Sequence, residues 1–379
     1  MFMARILIDA RALADEKSGG VGRAARYWIT FNIEHSTSLP VILSEVSPRT
    51  ESKDLARDVK PDPSTSLHSA QDDNSKLLEV VCVTTGLKPS PAVQEFCEEN
   101  GYQYFHLKIP NKLWTLFCYL KLVSLSKSAE KKVGPIDLVL LPNLGFVGFL
   151  HRPYHLLIHD LSFIIEPHWF TLRRRWWHKL MPIKKLIEGA DKLDCVSEQT
   201  RQDALKIFKL DKNKTSVIQP MDFGLPDIEA VRPSWLPNSI QRFVLLLGGA
   251  DPRKNIHTAL RATATFNIQH STSPLVPIVL GGQVKCKRNQ CPLSHVKAPN
   301  HVSDAELKYL YQNAATILYP SWYEGFGLPL HEAYHLGTPI IASTAGALPE
   351  TAPPKTIFCH PAKPHEWLMA LEVILGKSA

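Results

Sequence analysis

The sequence has no long apolar run. No window approaches the roughly eighteen apolar residues of a membrane span, and the nearest, "LVLLPNLGFVGFL", is broken by Pro142 and Asn143. Its start, "MFMARILIDARALA", offers only Ile6 to Ile8 before Asp9, too little for a secretory h-region, so a cytoplasmic location is the default expectation. Cysteine is sparse too: seven scattered residues, an odd number, in a chain large enough to fold without disulfides. Cys286 and Cys291 in "CKRNQC" are the one close pair; with no second pair or histidine cluster to complete a zinc site, they read as two reduced thiols on a loop.

What is present fits an ordinary globular protein. The 379 residues are 44% hydrophobic and 21% charged, enough for two cores in domains of roughly 150 to 200 residues each. A net charge of +7 suits an anionic ligand, an acidic membrane surface or nucleic acid without choosing among them. Continuous apolar runs recur between helical stretches: "RILID", "PVILSEV", "LLEVVCV", "IDLVLLP" and "HLLIHD", then "RFVLLLGG", "PIVLGG", "ATILYPS" and "PIIAS". Unbroken apolar strands are what a parallel sheet covered on both faces requires, so each half predicts a doubly wound α/β lobe.

The boundary is expected in the proline-rich stretch "KTSVIQPMDFGLPDIEAVRPSWLPNSIQ", giving lobes 1–220 and 221–379 around a central cleft at the carboxyl ends of their strands. Residues 47–76 are polar and Pro/Ser-rich and read as a mobile insertion in the first lobe. A short repeat, "FNIEHSTSLPVI" from Phe31 and "FNIQHSTSPLVPIV" from Phe266, ends a predicted helix and leads into a predicted strand in both halves.

Chemistry concentrates in three turns. In "LLLGGADPRKNIHTAL" a strand ends at Gly248 and Gly249, and Arg253, Lys254 and Asn255 stand at a helix entry. Close backbone approach, outward amides and two cations outline a diphosphate cradle, or else a solvated basic helix start. The first lobe has "DEKSGGVGR", with Gly19 and Gly20 as a candidate acceptor-side loop; it lacks Walker spacing and a well-placed acid for a dinucleotide fingerprint. The third turn, "SWYEGFGLPLHEA", sets Glu324 before a Gly-Phe-Gly turn and Glu332 about one helical turn past Pro329. The two acids are expected in different parts of one pocket, with the amides of Gly325, Phe326, Gly327 and Leu328 between them. That suits an anionic centre flanked by hydroxyls, as in a nucleotide sugar, better than a metal; the bland alternative is one loop acid and one helix acid.

These segments resemble glycosyltransferase family 4, whose members have the GT-B fold and an E-x7-E motif, here Glu324 to Glu332 in "EGFGLPLHE". "RILIDARAL", "HDLSFIIEPHWF", "CVSEQTRQD", "GGADPRKN", "HVSDAELKYLYQNAATILYPS" and "GTPIIASTAGALPE" follow the family's order. The resemblance implies a metal-independent, retaining hexosyltransferase with no cofactor, moving a mannose or glucose type sugar from a UDP- or GDP-sugar to a glycan or lipid-linked acceptor in surface polysaccharide assembly. By position it implies Glu324 at the donor sugar, Glu332 on the ribose, Arg253 and Lys254 on the departing diphosphate with Gly249 in the same turn, and His159 as the cleft histidine. This chain departs from many relatives in placing the arginine and lysine side by side, and in ending at "HEWLMALEVILGKSA" without a long terminal segment. A nucleotide-sugar epimerase and a degenerate glycan-binding protein are the competing readings.

"FTLRRRWWHKLMPIKK", 170–185, gathers six cations around Trp176 and Trp177. It reads equally as a helix with packed tryptophans and solvated charges or as peripheral contact with the inner face of a membrane. Nucleic acid is not expected, since no recognised module accompanies the charge. "LWTLFCYLKLVSL" reads as core.

Overall fold

The computed structural model describes residues 4–14, 20–34, 78–221, 225, 227–272, 274–282, 296–297 and 302–376. The insertion 47–76, the strand expected in "PVILSEV", Gly19, Cys286 and Cys291 lie outside the described residues.

The apolar runs form two sheets. The first has the order β3-β2-β1-β4-β5-β6-β7, from β1 (Ala4–Asp9), β2 (Leu78–Thr85), β3 (Gln103–Leu107), β4 (Leu138–Leu141), β5 (Tyr154–Ile158), β6 (Lys192–Cys195) and β7 (Thr215–Val217). The second has the order β10-β9-β8-β11-β12-β13, from β8 (Phe243–Leu247), β9 (Val276–Leu280), β10 (Val296–Lys297), β11 (Thr316–Tyr319), β12 (Ile340–Ser343) and β13 (Ile357–Cys359). The pairings β1 with β2 and with β4, β8 with β9 and with β11, and β11 with β12 are all parallel. In β1, β4 and β11 consecutive residues are buried, because helices cover both faces of a parallel sheet.

Two parallel sheets of this kind are the GT-B architecture expected from the sequence. By compactness the chain divides into Met1–Leu157 with Met181–Leu193, and Ile158–Leu180 with Asp194–Ala379. In the second unit alternate strand residues feed opposite cores. Leu245 and Ile317 pack with Tyr311 and Leu330 on one face, and Val244, Leu246 and Leu318 pack with Phe266 and Trp367 on the other. Burying each such side chain contributes about 1.5–3 kcal/mol, which fixes the strand ends that carry the site. The second repeat copy falls as expected, ending the helix Ile256–Gln269 before β9.

One expectation is corrected. In "LWTLFCYLKLVSL" Trp114 and Cys118 point inward, but Leu113, Leu116, Tyr119, Leu120 and Leu122 are exposed. The stretch is the helix Asn111–Tyr119, its exit and the first residue of the helix Leu125–Val133; within the first helix the buried residues are the pair at i and i+4, and beyond it Ser124 and Leu125 are buried. Trp114 Nε1 donates to the Phe146 carbonyl at 2.8 Å and Cys118 Sγ reaches the same oxygen at 3.4 Å.

Candidate active site

The second sheet reverses its order of addition at β8, from which β9 and β11 depart to opposite sides. Ligands bind outside strand carboxyl ends at such a switch. Both basic and acidic turns start there, after Leu247 and after Tyr319.

The basic turn is tightly built. Gly248 has φ +84°, and a Cβ there would stand 2.5 Å from Lys254 Cγ, so the lysine stem crosses where only glycine leaves room. The amides of Gly248 and Gly249 both donate to the Leu280 carbonyl at 2.9 Å, tying the turn to the neighbouring strand. Asp251 caps a 3-10 turn, Pro252–Lys254, by accepting from the Arg253 amide. Asn255 follows with φ +49°, a conformation asparagine tolerates, and its Nδ2 donates to the carbonyls of Pro320 (3.0 Å) and Pro361 (2.8 Å). The Trp322 amide donates to the Arg253 carbonyl at 2.7 Å, joining basic and acidic turns directly.

Lys254 Nζ lies 2.6 Å from Glu324 Oε1 and donates to the Tyr319 hydroxyl at 2.7 Å. Burial works against the ammonium, but the Glu324 carboxylate and the Tyr319 oxygen outweigh it and hold its pKa above the ordinary lysine value. Burial and the nearby Glu324 likewise raise Tyr319 despite Lys254. The lysine is therefore a fixed cation beside a neutral phenol, suited to hold an anion and unsuited to be a base.

Arg253 is engaged differently. Its Nη2 meets Asp251 Oδ2 at 2.7 Å, while Nη1 meets Asp160 Oδ2 at 3.2 Å and Ser162 Oγ at 3.0 Å. Ser162 Oγ in turn donates to Asp160 Oδ1 at 2.6 Å, and the guanidinium lies 5.3 Å from the Phe170 ring centre. Burial opposes the charge, yet its two carboxylates raise the arginine pKa; burial also opposes ionisation of Asp251, which Arg253 nonetheless holds below its usual value.

The acidic turn explains its glycines. A Cβ on Gly325 would lie 1.8 Å from the His159 carbonyl oxygen, so the turn and the His159 backbone are pressed together. A Cβ on Gly346 would lie 2.6 Å from the backbone of Glu324, whose carbonyl accepts from the Ala347 amide at 2.9 Å. Gly327, at φ +97°, caps the helix Leu328–His335, with Pro329 in its first turn as expected. Among the described residues, no protein group accepts the amides of Gly325, Gly327 or Leu328. The Phe326 ring stacks on His331 at 5.1 Å, and its carbonyl accepts from Thr351. Glu332 is buried, with Oε2 accepting from the Tyr311 hydroxyl at 2.8 Å.

The structure thus brings Lys254 to Glu324, the His159 backbone to Gly325, and Arg253 to Asp160. It gives Glu332 a separate partner. Gly249 spends its amide within the sheet, and Gly20 opens the helix Gly20–Glu34 of the first unit. Sequence reasoning passed over Tyr319, Tyr311, Asp160 and Ser162 as site residues. Tyr319 and Asp160 stand close to motifs already singled out, but Tyr311 had no local signal. No group of three or more His, Cys, Asp or Glu side chains placed to hold a metal occurs among the described residues.

Residues 227–376 match the family model described as glycosyl transferases group 1. The chain is 27% identical over 211 residues to O-antigen chain mannosyltransferase B of Escherichia coli, covering 51% of this chain and 53% of that protein. It is 24% identical over 273 residues to O-antigen chain mannosyltransferase RfbU of Salmonella typhimurium, covering 69% of this chain and 70% of that protein. It therefore spans only about half the length of the first of these relatives. Sucrose-phosphate synthase from Thermosynechococcus elongatus superposes with a TM-score of 0.62 at 18% identity, over 99% of this chain and 90% of that one. The chain has the GT-B fold of this solved structure.

Proposed function

We propose that this protein is a retaining glycosyltransferase of the family 4 type, using a UDP- or GDP-sugar as donor and a glycan or lipid-linked acceptor. The observation that carries the reading is the Lys254–Glu324 pair, 2.6 Å apart, beside the unaccepted amides of Gly325, Gly327 and Leu328. Lys254 and these amides supply positive potential for a diphosphate, and Glu324 accepts from sugar hydroxyls. Glu332 takes the ribose, steadied by Tyr311. Arg253 adds a second cation when phosphate oxygens replace Asp160 as its partner. His159 flanks the donor sugar, and Gly249 shapes the turn under the phosphates.

The bond from the anomeric carbon to the phosphate oxygen breaks, and the bond to the acceptor oxygen forms on the same face. The acceptor proton passes to the leaving phosphate, which needs no protein base. Negative charge grows on the diphosphate in the transition state, where Lys254 is worth most. The names of the O-antigen relatives favour mannose and polysaccharide assembly. Residues 221–379 hold the donor, and 1–220 the acceptor. The helix Leu172–Leu180, with Trp176 65% and Trp177 42% exposed, serves peripheral contact at the cytoplasmic membrane face.

The test is thermal stabilisation by a panel of UDP-, GDP- and ADP-sugars, followed by transfer of labelled sugar to an added acceptor. Stabilisation by one donor and acceptor-dependent release of its nucleoside diphosphate are expected. Sugar inversion without acceptor would instead make it an epimerase, and absence of donor binding a glycan-binding protein.

A further inference from the structure

Two segments of the sequence have no task in the donor site, "CVSEQTRQD" from Cys195 and "GALPE" from Gly346. Both lie in the second unit, and both lead to the backbone of Glu324. The first opens the helix Glu198–Phe208. Its own N-cap, Ser197, accepts from the Thr200 amide at 3.1 Å, which leaves the amides of Glu198 and Gln199 pointing out of the helix end. A distant carboxylate takes both. Glu350 accepts from the Glu198 amide at 2.7 Å through Oε1 and from the Gln199 amide at 3.0 Å through Oε2. An anionic oxygen for each amide, at the positive end of a helix, is the strong form of this contact.

The short helix Leu348–Thr351, which carries Glu350, and the two residues before it also hold the acidic turn. The Ala347 amide donates to the Glu324 carbonyl at 2.9 Å, Gly346 packs against the same backbone, and Thr351 Oγ1 donates to the Phe326 carbonyl. A second tether lies on the other side of Glu324. The Tyr323 hydroxyl donates to Asp203 Oδ2 at 2.6 Å, and Gln199 Nε2 holds Asp203 Oδ1 at 3.1 Å. Tyr323 is buried, and burial together with Asp203 raises its pKa, so the phenol stays protonated and remains the donor. Gln199 and Asp203 stand at i and i+4, on one face of the helix. One helix therefore grips the turn at residue 323 through Asp203, and at residues 324 and 326 through the segment that Glu350 anchors.

We propose that Glu350, Tyr323 and Asp203 are positioning residues for Glu324, fixing its carboxylate against the donor sugar by tying the acidic turn to the helix Glu198–Phe208. This rests on the reading of Glu324 as the residue that meets the donor sugar. A carboxylate on a turn keeps its place only as well as the backbone under it, and a displacement of about 1 Å at such a contact costs about a hundredfold in rate. The diphosphate does not share this dependence. Its charge is answered by Lys254, on the neighbouring turn, and by the amides of Gly327 and Leu328 at the start of their own helix. Loss of the tethers is therefore felt by the sugar and not by the nucleotide.

The test is calorimetric titration of the full chain with GDP-mannose and GDP, and with UDP-glucose and UDP, beside turnover and melting curves. Tyr323→Phe and Glu350→Ala are each expected to weaken binding of the nucleotide sugar about fivefold, as for one oriented hydrogen bond, and to leave that of the nucleoside diphosphate within about twofold. In each, kcat falls at least about tenfold. Glu350 is exposed, so Glu350→Ala lowers the melting temperature by only about 2–4 °C, and Glu350→Gln, which keeps one acceptor oxygen for the helix amides, recovers part of the lost affinity. In a Glu324→Ala background Tyr323→Phe and Glu350→Ala weaken the nucleotide sugar no further, because the group they place is gone. A wild type that binds a nucleotide sugar, with variants that lose sugar and nucleoside diphosphate in equal measure, lose neither, or add their full effect to that of Glu324→Ala, overturns the inference alone. A wild type that binds neither nucleotide sugar overturns the donor-sugar reading, and the inference with it.

Discussion

Lys254 and Glu324, seventy positions apart, form a charge-assisted hydrogen bond of 2.6 Å that Tyr319 completes from the strand between them. Lys254→Met leaves the Glu324 carboxylate part-buried without its cation, at a cost of about 1–3 kcal/mol in unfolding free energy. Adding Glu324→Gln recovers most of that stability, because a pair removed together leaves no orphaned charge. Sugar transfer stays at least about a hundredfold down in the single and double variants. Denaturant unfolding beside donor-saturated turnover checks both halves.

Gly325→Ala tests the close approach of two chain segments. A methyl group cannot sit 1.8 Å from the His159 carbonyl oxygen, so one backbone must retreat. We expect about 1–3 kcal/mol of destabilisation and a lower kcat, whereas alanine at Gly337, where a Cβ would meet no atom within 4 Å, strains only its φ of +78°. Melting curves of the two variants give the comparison.

Tyr311→Phe removes the donor to buried Glu332 and leaves its carboxylate short of a partner, costing about 1–3 kcal/mol. On the proposed ribose role the donor KM rises and kcat holds. A fall in kcat with KM unchanged would refute that role.

Asp251 gives a pH signature. Its burial opposes ionisation, but Arg253 outweighs that and holds its folded pKa below the unfolded value, which is about 4. The stabilisation is full above pH 4 and is lost as pH falls through the lower folded value. Asp251→Asn is expected to flatten the acid limb of the stability curve below pH 4 while lowering stability at pH 7.

Burial pushes the thiols of Cys118, Cys195 and Cys359 up to about 12. Iodoacetamide at pH 8 is therefore expected to leave these three unmodified in the folded protein and to label them in urea. Peptide mass spectrometry reads the difference.

Much of the acidic turn was legible because its geometry is local. Gly327 and Pro329 announce the start of a helix in any context, and the unbroken apolar runs announce buried parallel strands. The partners of the site residues were not legible. Arg253 meets Asp160 across 93 positions, and Lys254 meets Tyr319 across 65, and such separations leave no periodicity to read. The stripe at Leu113, Leu116 and Leu120 was misread as core for a related reason: apolar composition states how much of a helix is greasy but not which face meets a partner.

By itself the sequence determined the parallel α/β lobes, the two glycine turns and the positions of Lys254, Glu324 and Glu332 on them, since all follow from short-range sterics and burial patterns. Only the tertiary structure decided which charge each residue answers: Glu324 to Lys254, Asp160 to Arg253, Tyr311 to Glu332. Those pairings depend on how strand ends from distant parts of the chain are brought side by side, a property of the packed sheet rather than of any segment within it.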